Sequence, residues 1–171
     1  MRDWQNEVRD VLDFPKPGIV FKDITPLLKN PQAVDAIATE IAQRFANERI
    51  TAVAGVEARG FIFAPLIAQK LQAAFVPIRK PGKLPFSTIS KSYDLEYGQA
   101  SVELHTDAVS QNDRVLVVDD LLATGGTMNA SCELIEELGG HVAGCAFVIE
   151  LLFLAGRNTL SKYEVFSLME V

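Results

Sequence analysis

The sequence predicts an α/β fold in which a central, mainly parallel sheet is flanked by helices. The main observation is that segments with strand character alternate with segments whose apolar residues recur at helical spacing. A second is the run Val115–Val118, whose four consecutive aliphatic residues are typical of a strand buried on both faces. A third is Gly139-Gly140, a helix stop between a predicted helix at 127–138 and a predicted strand at 141–150.

The predicted elements begin with a short amphipathic helix at residues 1–12 and an irregular, proline-punctuated arm at 14–26. Asn30 then caps a predicted helix that carries Pro31 in its first position. The buried stripe of that helix comprises Val34, Ile37, Ala38, Ile41 and Phe45. The elements that follow are a strand at 50–54, a helix at 61–71, a strand at 75–79 and a half-exposed strand around 102–105.

Residues 80–98 interrupt this alternation. They contain two prolines, two glycines and three serines, and their apolar residues have only weak periodicity. A loop of this length in a compact domain is usually a lid or a binding loop. We therefore expect a lid here, with the strand around 102–105 as its hairpin partner.

Composition narrows the class of protein. A chain of 171 residues with 49% hydrophobic residues predicts a single domain, 1–171, with a genuine core. The net charge of -6 argues against a nucleic-acid or membrane surface. The two cysteines lack metal-type spacing, Cys132 falls on a core stripe, and the opening residues lack a signal-peptide run, so we expect a cytoplasmic protein.

The stretch Val115–Thr127 reads in order as a buried strand, two acids, a glycine loop and a helix start. Ligands of open parallel sheets bind beyond the carboxyl ends of the strands. Asp119 and Asp120 follow the predicted strand directly, so we expect both to face a crevice at that edge. Carboxylates there can accept hydrogen bonds from paired hydroxyl groups.

The glycine loop after these acids predicts a phosphate site. Gly125 and Gly126 allow a tight turn and close approach to a ligand, and Thr127 is a candidate N-cap of the next helix. Helix N-termini bind phosphate through free N–H groups. The sequence matches neither the P-loop nor the dinucleotide-binding pattern. A ribose 5-phosphate fits both halves of the stretch.

The sequence VVDDLLATGGTMNA at 117–130 resembles the PRPP-binding motif of type I phosphoribosyltransferases, in the form found in adenine phosphoribosyltransferases. The resemblance extends from Phe14 to 166–170. It implies the type I phosphoribosyltransferase fold, with a hood at about 14–26 and a flexible catalytic loop at about 80–98. It also implies that the ribose and phosphate of PRPP or AMP are bound by Asp119, Asp120, Ala123, Thr124, Gly125, Gly126 and Thr127.

The same resemblance implies roles outside this motif. The turn VEARGF at 56–61 is similar to a diphosphate-binding turn, which makes Arg59 a diphosphate ligand together with Arg79 and Lys83, part of this basic cluster reaching a neighbouring subunit. Glu96 is implied as the group that handles the proton of the base, with Arg59 and Lys83 as the other catalytic residues. Adenine would be held by Val20, Phe21, Lys22 and Leu121. Many relatives have arginine where this chain has Lys22.

The activity implied by the resemblance is a purine-salvage reaction, the transfer of phosphoribosyl from PRPP to adenine to give AMP and diphosphate. The implied cofactor is Mg²⁺, held mainly through PRPP rather than by a dedicated protein site, and the implied assembly is a homodimer. Two alternatives stay open: a phosphoribosyltransferase for xanthine or another purine, and a PRPP-sensing regulator without turnover. Neither a nucleic acid nor a membrane is an expected partner.

Overall fold

The structure is a computed structural model that describes residues 3–94 and 98–171. Its internal contacts group the chain into two units, Met1–Ile37 and Ala38–Val171. Within the described residues, no helix is long and apolar enough to span a membrane.

The first unit contains a two-stranded antiparallel sheet and the start of a long helix. Its elements are a 3₁₀ helix at Asp3–Glu7, β1 at Arg9–Leu12, β2 at Val20–Asp23, a 3₁₀ helix at Leu27–Lys29 and the first turns of α1, which spans Pro31–Arg44. The side-chain oxygen of Asn30 accepts a hydrogen bond of 3.1 Å from the amide of Ala33. The predicted N-cap and the predicted first position of Pro31 are confirmed.

Two predictions for this unit were wrong. Residues 1–12 were expected to form a helix, but residues 9–12 are strand β1, and the arm at 14–26 contains strand β2. The two strands are joined by ion pairs of 2.5 Å between Arg9 and Asp23 and 2.7 Å between Lys22 and Asp10. Each strand is stabilised by a partner elsewhere in the sequence and has no periodicity of its own. Neither strand can therefore be recognised from its own segment.

The second unit is built on a five-stranded parallel sheet with the strand order β4-β3-β7-β8-β9. The strands are β3 at Ala52–Val56, β4 at Ala74–Ile78, β7 at Arg114–Leu122, β8 at His141–Glu150 and β9 at Val165–Glu170. The helices are α2 at Gly60–Leu71, α3 at Gly126–Glu137 and the short α4 at Gly156–Thr159, preceded by a 3₁₀ helix at Leu152–Leu154. The predicted α/β class with a parallel central sheet is confirmed.

Helices cover both faces of this sheet. On one face, α2 packs so closely on β3 that a side chain at Gly55 would lie 2.8 Å from the Cβ of Ala64. On the other face, α3 joins the core cluster that contains Ala54 and Val56. A sheet covered on both sides explains why Val115–Val118 is fully buried.

A separate antiparallel hairpin consists of β5 at Thr88–Asp94 and β6 at Gln99–His105. Residues 88–94, part of the predicted irregular lid, are therefore a strand. The predicted strand around 102–105 is confirmed as its hairpin partner, with Val102 and Leu104 buried. Loop composition was misleading here because the hydrogen bonds of β5 come from β6 and not from a local pattern.

Predicted boundaries agree best where a glycine or a buried run marks them. The strand at 141–150 is confirmed at both ends, and Gly139, with a φ of 89°, follows the end of α3 as predicted. The helix at 61–71 begins one residue earlier than predicted, at Gly60. The strand expected at 50–54 lies two residues further along, at Ala52–Val56.

Gly144 in β8 provides a test of this packing. A Cβ at this position would lie 2.6 Å from Cε1 of Phe45, a ring with no exposed surface. We predict that Gly144→Ala lowers the free energy of unfolding by about 1 to 3 kcal/mol, the usual cost of overpacking a core. The measurement is urea unfolding followed by circular dichroism.

The double variant Phe45→Leu/Gly144→Ala is the control. Removing the ring makes room for the new methyl group, so Gly144→Ala should cost less in the Phe45→Leu background than in the parent. Equal costs in both backgrounds would contradict the packing argument.

Candidate functional site

The candidate site lies at the carboxyl end of β7. This strand was expected to end before Asp119, but it continues to Leu122, because its ladder with β8 extends to the pairs Leu121–Ile149 and Leu122–Glu150. Both acids are therefore part of a strand, and their side chains point to opposite faces of the sheet.

The two acids have different surroundings. Asp119 is half-buried and lines a cavity, whereas the side chain of Asp120 is only 2% exposed. The prediction that both acids face an open crevice is therefore correct for Asp119 and wrong for Asp120. The reason is the strand conformation, which turns neighbouring side chains to opposite sides.

Arg59 lies beside Asp120, as the predicted grouping of these residues requires. It occupies the N-cap position of α2, and its Nε is 3.1 Å from Oδ2 of Asp120. The contact is an ion pair by distance, although within the described residues this buried oxygen has no hydrogen-bond partner. Asp120 thus keeps hydrogen-bonding capacity at the edge of the site.

Gly60 brings α2 and β7 together at this point. A Cβ there would lie 2.6 Å from the carbonyl oxygen of Val118 and 3.2 Å from Oδ1 of Asp119. Since the nearest atom belongs to the backbone, a larger residue would push the helix start away from the acids. This packing role of Gly60 was not predicted. Its signal in the sequence is the position of the glycine directly after Arg59.

A cavity of about 80 Å³ opens beside Asp119. Its lining consists of Asp119, Leu121, Leu122, Ala123, Thr124, Gly125, Gly126, Thr127, Met128 and Phe147. Every residue of the predicted phosphate loop, 123–127, is in this lining. Phe147 and Met128 were not predicted, because they reach the cavity from β8 and from one turn into α3.

The start of α3 differs from the prediction. Thr127 was expected to be the N-cap, but the helix begins at Gly126, and the N-cap is Gly125, with a φ of 84° and no side-chain hydrogen bond. This left-handed conformation suits glycine and turns the chain before Thr127 is reached. The first bond of the helix runs from the amide of Asn129 to the carbonyl of Gly125, 2.9 Å, so the amides of the first turn have no partner within the helix.

Both acids of the site have raised pKa values. Burial and the neighbouring negative charge of Asp120 raise the pKa of Asp119 well above its ordinary value of 3.8. Burial also raises the pKa of Asp120, although the positive charge of Arg59 opposes this effect. Two adjacent acids thus lie beside a helix N-terminus whose amides attract negative charge.

The predicted basic cluster has a partner that sequence analysis missed. Nε and Nη2 of Arg79 donate hydrogen bonds of 3.1 Å to the two carboxylate oxygens of Glu57, and Nη1 donates to the carbonyl of Lys83. The hydrogen bonds from Arg79 lower the pKa of Glu57, as does the amide of Lys80. A diphosphate contact by Arg79, or a reach into a neighbouring subunit, stays a prediction and requires Arg79 to leave Glu57.

The predicted adenine-binding residues and Glu96 lie in different parts of the chain. Leu121 lines the cavity. Val20, Phe21 and Lys22 are on β2 of the first unit, where the ring of Phe21 meets that of Phe14 edge-on at 5.2 Å. Glu96 lies outside the described residues.

The β5–β6 hairpin contacts the phosphate loop, which the sequence did not indicate. A Cβ at Gly126 would lie 3.3 Å from Cδ2 of Tyr93. Lys91 forms an ion pair of 2.9 Å with Glu133 of α3, and this contact raises the pKa of Lys91. The hairpin is therefore fastened to the helix whose first turn borders the cavity.

This arrangement suits a ligand with two kinds of group. The carboxylates can accept hydrogen bonds from hydroxyl groups, and the amides of the loop can donate to a phosphate. Arg59 adds a fixed positive charge next to the acids. A phosphorylated sugar satisfies all three features.

Comparison with known proteins agrees with this geometry. Residues 23–168 match the model of the phosphoribosyl transferase domain family. The chain is 58% identical over 163 residues to adenine phosphoribosyltransferase from Methylococcus capsulatus, with 95% of each chain covered. It is 47% identical to the crystal structure of adenine phosphoribosyltransferase from Thermoanaerobacter pseudethanolicus, with a TM-score of 0.96 and coverage of 99% and 98%.

A more distant structure carries ligands. The adenine phosphoribosyl transferase from Trypanosoma brucei, in complex with AMP, pyrophosphate and ribose-5-phosphate, is 26% identical to this chain with a TM-score of 0.90. The alignment covers 99% of this chain and 78% of that one.

The raised pKa of Asp119 gives a testable change in stability. A carboxyl whose folded pKa lies above its unfolded pKa stabilises the fold below about pH 3.8, and this contribution is lost as the pH rises through the folded value. We predict that Asp119→Asn, which cannot ionise, is more stable than the parent at pH 7 and that the difference shrinks as the pH falls towards 3.8. The measurement is thermal unfolding as a function of pH.

Asp113→Asn is the matched control. Hydrogen bonds from Ser110 lower the pKa of Asp113, so its ionised form stabilises the fold above the unfolded pKa. This variant should be less stable than the parent at pH 7. Destabilisation of both variants at neutral pH would contradict the assigned environment of Asp119.

Proposed function

Because the chain belongs to the phosphoribosyl transferase family and, within it, to the adenine phosphoribosyltransferases, we propose that it transfers the 5-phosphoribosyl group of PRPP to adenine, giving AMP and diphosphate. The observation that carries the proposal is the cavity lined by both Asp119 and the loop 123–127. A pentose 5-phosphate presents hydroxyl groups and a phosphate at matching positions.

The two halves of the cavity have separate roles in this proposal. The loop 123–127 holds the 5-phosphate through its amides and the positive end of α3. Asp119 accepts hydrogen bonds from the ribose hydroxyls, while Asp120, buried on the opposite face of the strand, holds Arg59 in place. Together these contacts fix the sugar so that its C1 faces the incoming base, which lowers the entropic part of the barrier.

Cleavage of the bond from C1 to diphosphate leaves negative charge on the departing group and positive character on the sugar. Arg59, beside the acids, and Lys83, exposed in the turn after β4, are our candidates for stabilising the diphosphate. Arg79 is a third, and its release from Glu57 would be needed first. Fixed positive charges stabilise such a transition state strongly when water is excluded.

We propose Mg²⁺ as the cofactor, since the acids fit its chemistry. Magnesium is usually bound by one or two carboxylates together with substrate phosphates and water. Asp119 offers hard oxygen donors at the cavity, and PRPP would supply most of the remaining ligands. When bound, the ion adds positive charge next to the diphosphate and ribose oxygens.

The base is assigned to the hood and the end of β7. We propose that Phe21 and Leu121 contact the adenine ring, while the backbone of Val20 and Lys22 reads its amino edge. Glu96 is the proposed proton acceptor at the imidazole edge of the base. Its carboxylate would gain basicity in a closed, drier site.

We propose that both units belong to one phosphoribosyltransferase domain and that the active form is a cytoplasmic homodimer, the commonest arrangement for soluble oligomers. We propose that residues 80–98, which include β5, form the flexible catalytic loop.

Product formation with different bases tests the activity. Purified protein, Mg²⁺ and PRPP are mixed with adenine, hypoxanthine, guanine or xanthine, and the nucleotide formed is measured. We predict AMP as the main product, with the oxopurines disfavoured by factors on the order of 10⁴, because a site that accepts an amino donor leaves buried groups unpaired against a carbonyl.

Two other outcomes of this assay would favour the alternative functions. Faster turnover of xanthine or guanine would assign the protein to another purine, and PRPP binding without any product would indicate a regulator. Either outcome would contradict the proposed activity.

Glu96→Gln tests the handling of the proton. The substitution keeps the size of the side chain and removes its basic carboxylate, so we predict a fall in kcat of about 10²-fold with little change in the KM for PRPP. Asp94→Asn, which removes an exposed acid two residues away, should retain parental kcat. A parental kcat for Glu96→Gln across the pH range would contradict the assignment.

A further inference from the structure

The segment Gly156–Thr159 lies directly behind the phosphate loop. A Cβ at Gly156 would lie 2.2 Å from the carbonyl oxygen of Ala123, and a Cβ at Gly125 would lie 2.7 Å from the carbonyl oxygen of Gly156 and 3.0 Å from the Cβ of Thr159. Neither Gly156 nor Thr159 belongs to the lining of the cavity. The loop thus has the cavity on one side and this segment on the other.

An ion pair with a buried carboxylate anchors this segment. Glu150, 2% exposed at the end of β8, accepts hydrogen bonds of 2.7 Å from Nε and Nη2 of Arg157 and a short hydrogen bond from Ser167. Arg157 also donates to the carbonyl of Val165 at 3.0 Å. Burial raises the pKa of Glu150, but the hydrogen bonds from Arg157 and Ser167 outweigh it and lower the pKa overall. The fixed carboxylate holds α4 against the sheet.

One hydrogen bond passes from the anchored segment to the loop. Oγ1 of Thr159 donates to the carbonyl oxygen of Thr124 at 2.8 Å. In a trans peptide the C=O and the following N–H point in opposite directions. The Thr124–Gly125 peptide is trans, so fixing its carbonyl towards Thr159 directs the amide of Gly125 away from Thr159.

We propose that Thr159 is a positioning residue for PRPP: its hydroxyl holds the Thr124–Gly125 peptide in the orientation that aims the amide of Gly125 at the 5-phosphate. The inference rests on the proposed function of the loop. Thr159 does not touch the substrate. It removes the need for the peptide to reorient when the phosphate arrives, and such preorganisation strengthens binding without changing the reacting groups.

Steady-state kinetics of Thr159→Val test the proposal, since valine keeps the shape of threonine and lacks the hydroxyl. Loss of one neutral hydrogen bond should raise the KM for PRPP about 3- to 10-fold, with kcat within about 2-fold and the KM for adenine unchanged. Thr159→Ser, which retains the hydroxyl, should restore a KM near the parental value. Binding of ribose 5-phosphate, measured by calorimetry, should weaken by the same factor as the KM for PRPP rises.

Thr51→Val is the matched control. Thr51 lies just before β3, at the amino ends of the parallel strands and therefore away from the loop, and its Oγ1 donates to Asp113 at 2.8 Å. Loss of this hydroxyl affects stability without affecting the loop. Its KM for PRPP should equal that of the parent. Thermal unfolding of each variant separates loss of fold from loss of binding, and the calorimetric comparison is made below the lowest melting temperature.

Two results would overturn the inference while leaving the activity in place: an unchanged KM for PRPP in Thr159→Val, or an equal loss in Thr159→Ser and Thr159→Val. A parent enzyme that forms no AMP would instead remove the proposed function. The two failures are therefore distinguishable.

Discussion

The junction of β7 and α3 places opposite electrostatic demands on a few consecutive residues. Asp119 and Asp120 place two acids near the carboxyl end of β7, and α3 begins at Gly126 with first-turn amides that have no partner within the helix. Each feature costs stability in isolation, since buried carboxylates and unpaired amides both lose their hydration. A sugar phosphate would satisfy both sets of groups at once, which is why we propose that class of ligand for the site.

The surrounding structure compensates these costs in part. Arg59 and Gly60 bring positive charge and the start of α2 to the acids, and the raised pKa of Asp119 reports the cost that remains. Behind the loop, Glu150 and Arg157 form a second charged pair, joined by two hydrogen bonds of 2.7 Å. One pair thus lies beside the cavity, where Oδ2 of Asp120 has no hydrogen-bond partner among the described residues, whereas the other supports the loop from behind.

Much of the fold and the central part of the site could be predicted from the sequence, because their signals are local. A buried β-branched run identified β7, glycines marked the end of α3 and the strand β8 after it, and the acids and the glycine loop lie within nine consecutive residues. Contacts between distant segments could not be predicted. The partner of Arg79 is 22 residues away, that of Thr124 is 35 residues away, and β1 and β5 are strands only through their pairing.

The errors at the site itself follow from the same limitation. Asp120 was assigned to an open crevice because the strand was expected to stop before it, but the ladder with β8 continues and turns its side chain inward. Thr127 was expected to cap α3, but the left-handed conformation of Gly125 starts the helix earlier. The sequence indicates most of the residues that line the cavity, and the backbone conformation determines which way each side chain points.

The proposed site depends above all on the amides at the start of α3, which we propose bind the phosphate of a ribose 5-phosphate. The most direct measurement is a titration of ¹⁵N-labelled protein with ribose 5-phosphate, followed by the amide resonances of Gly125, Gly126 and Thr127. We predict that these resonances shift and saturate together, and that the shifts are smaller in Asp119→Asn at the same ligand concentration. Saturable binding that leaves all three amides unmoved would contradict it.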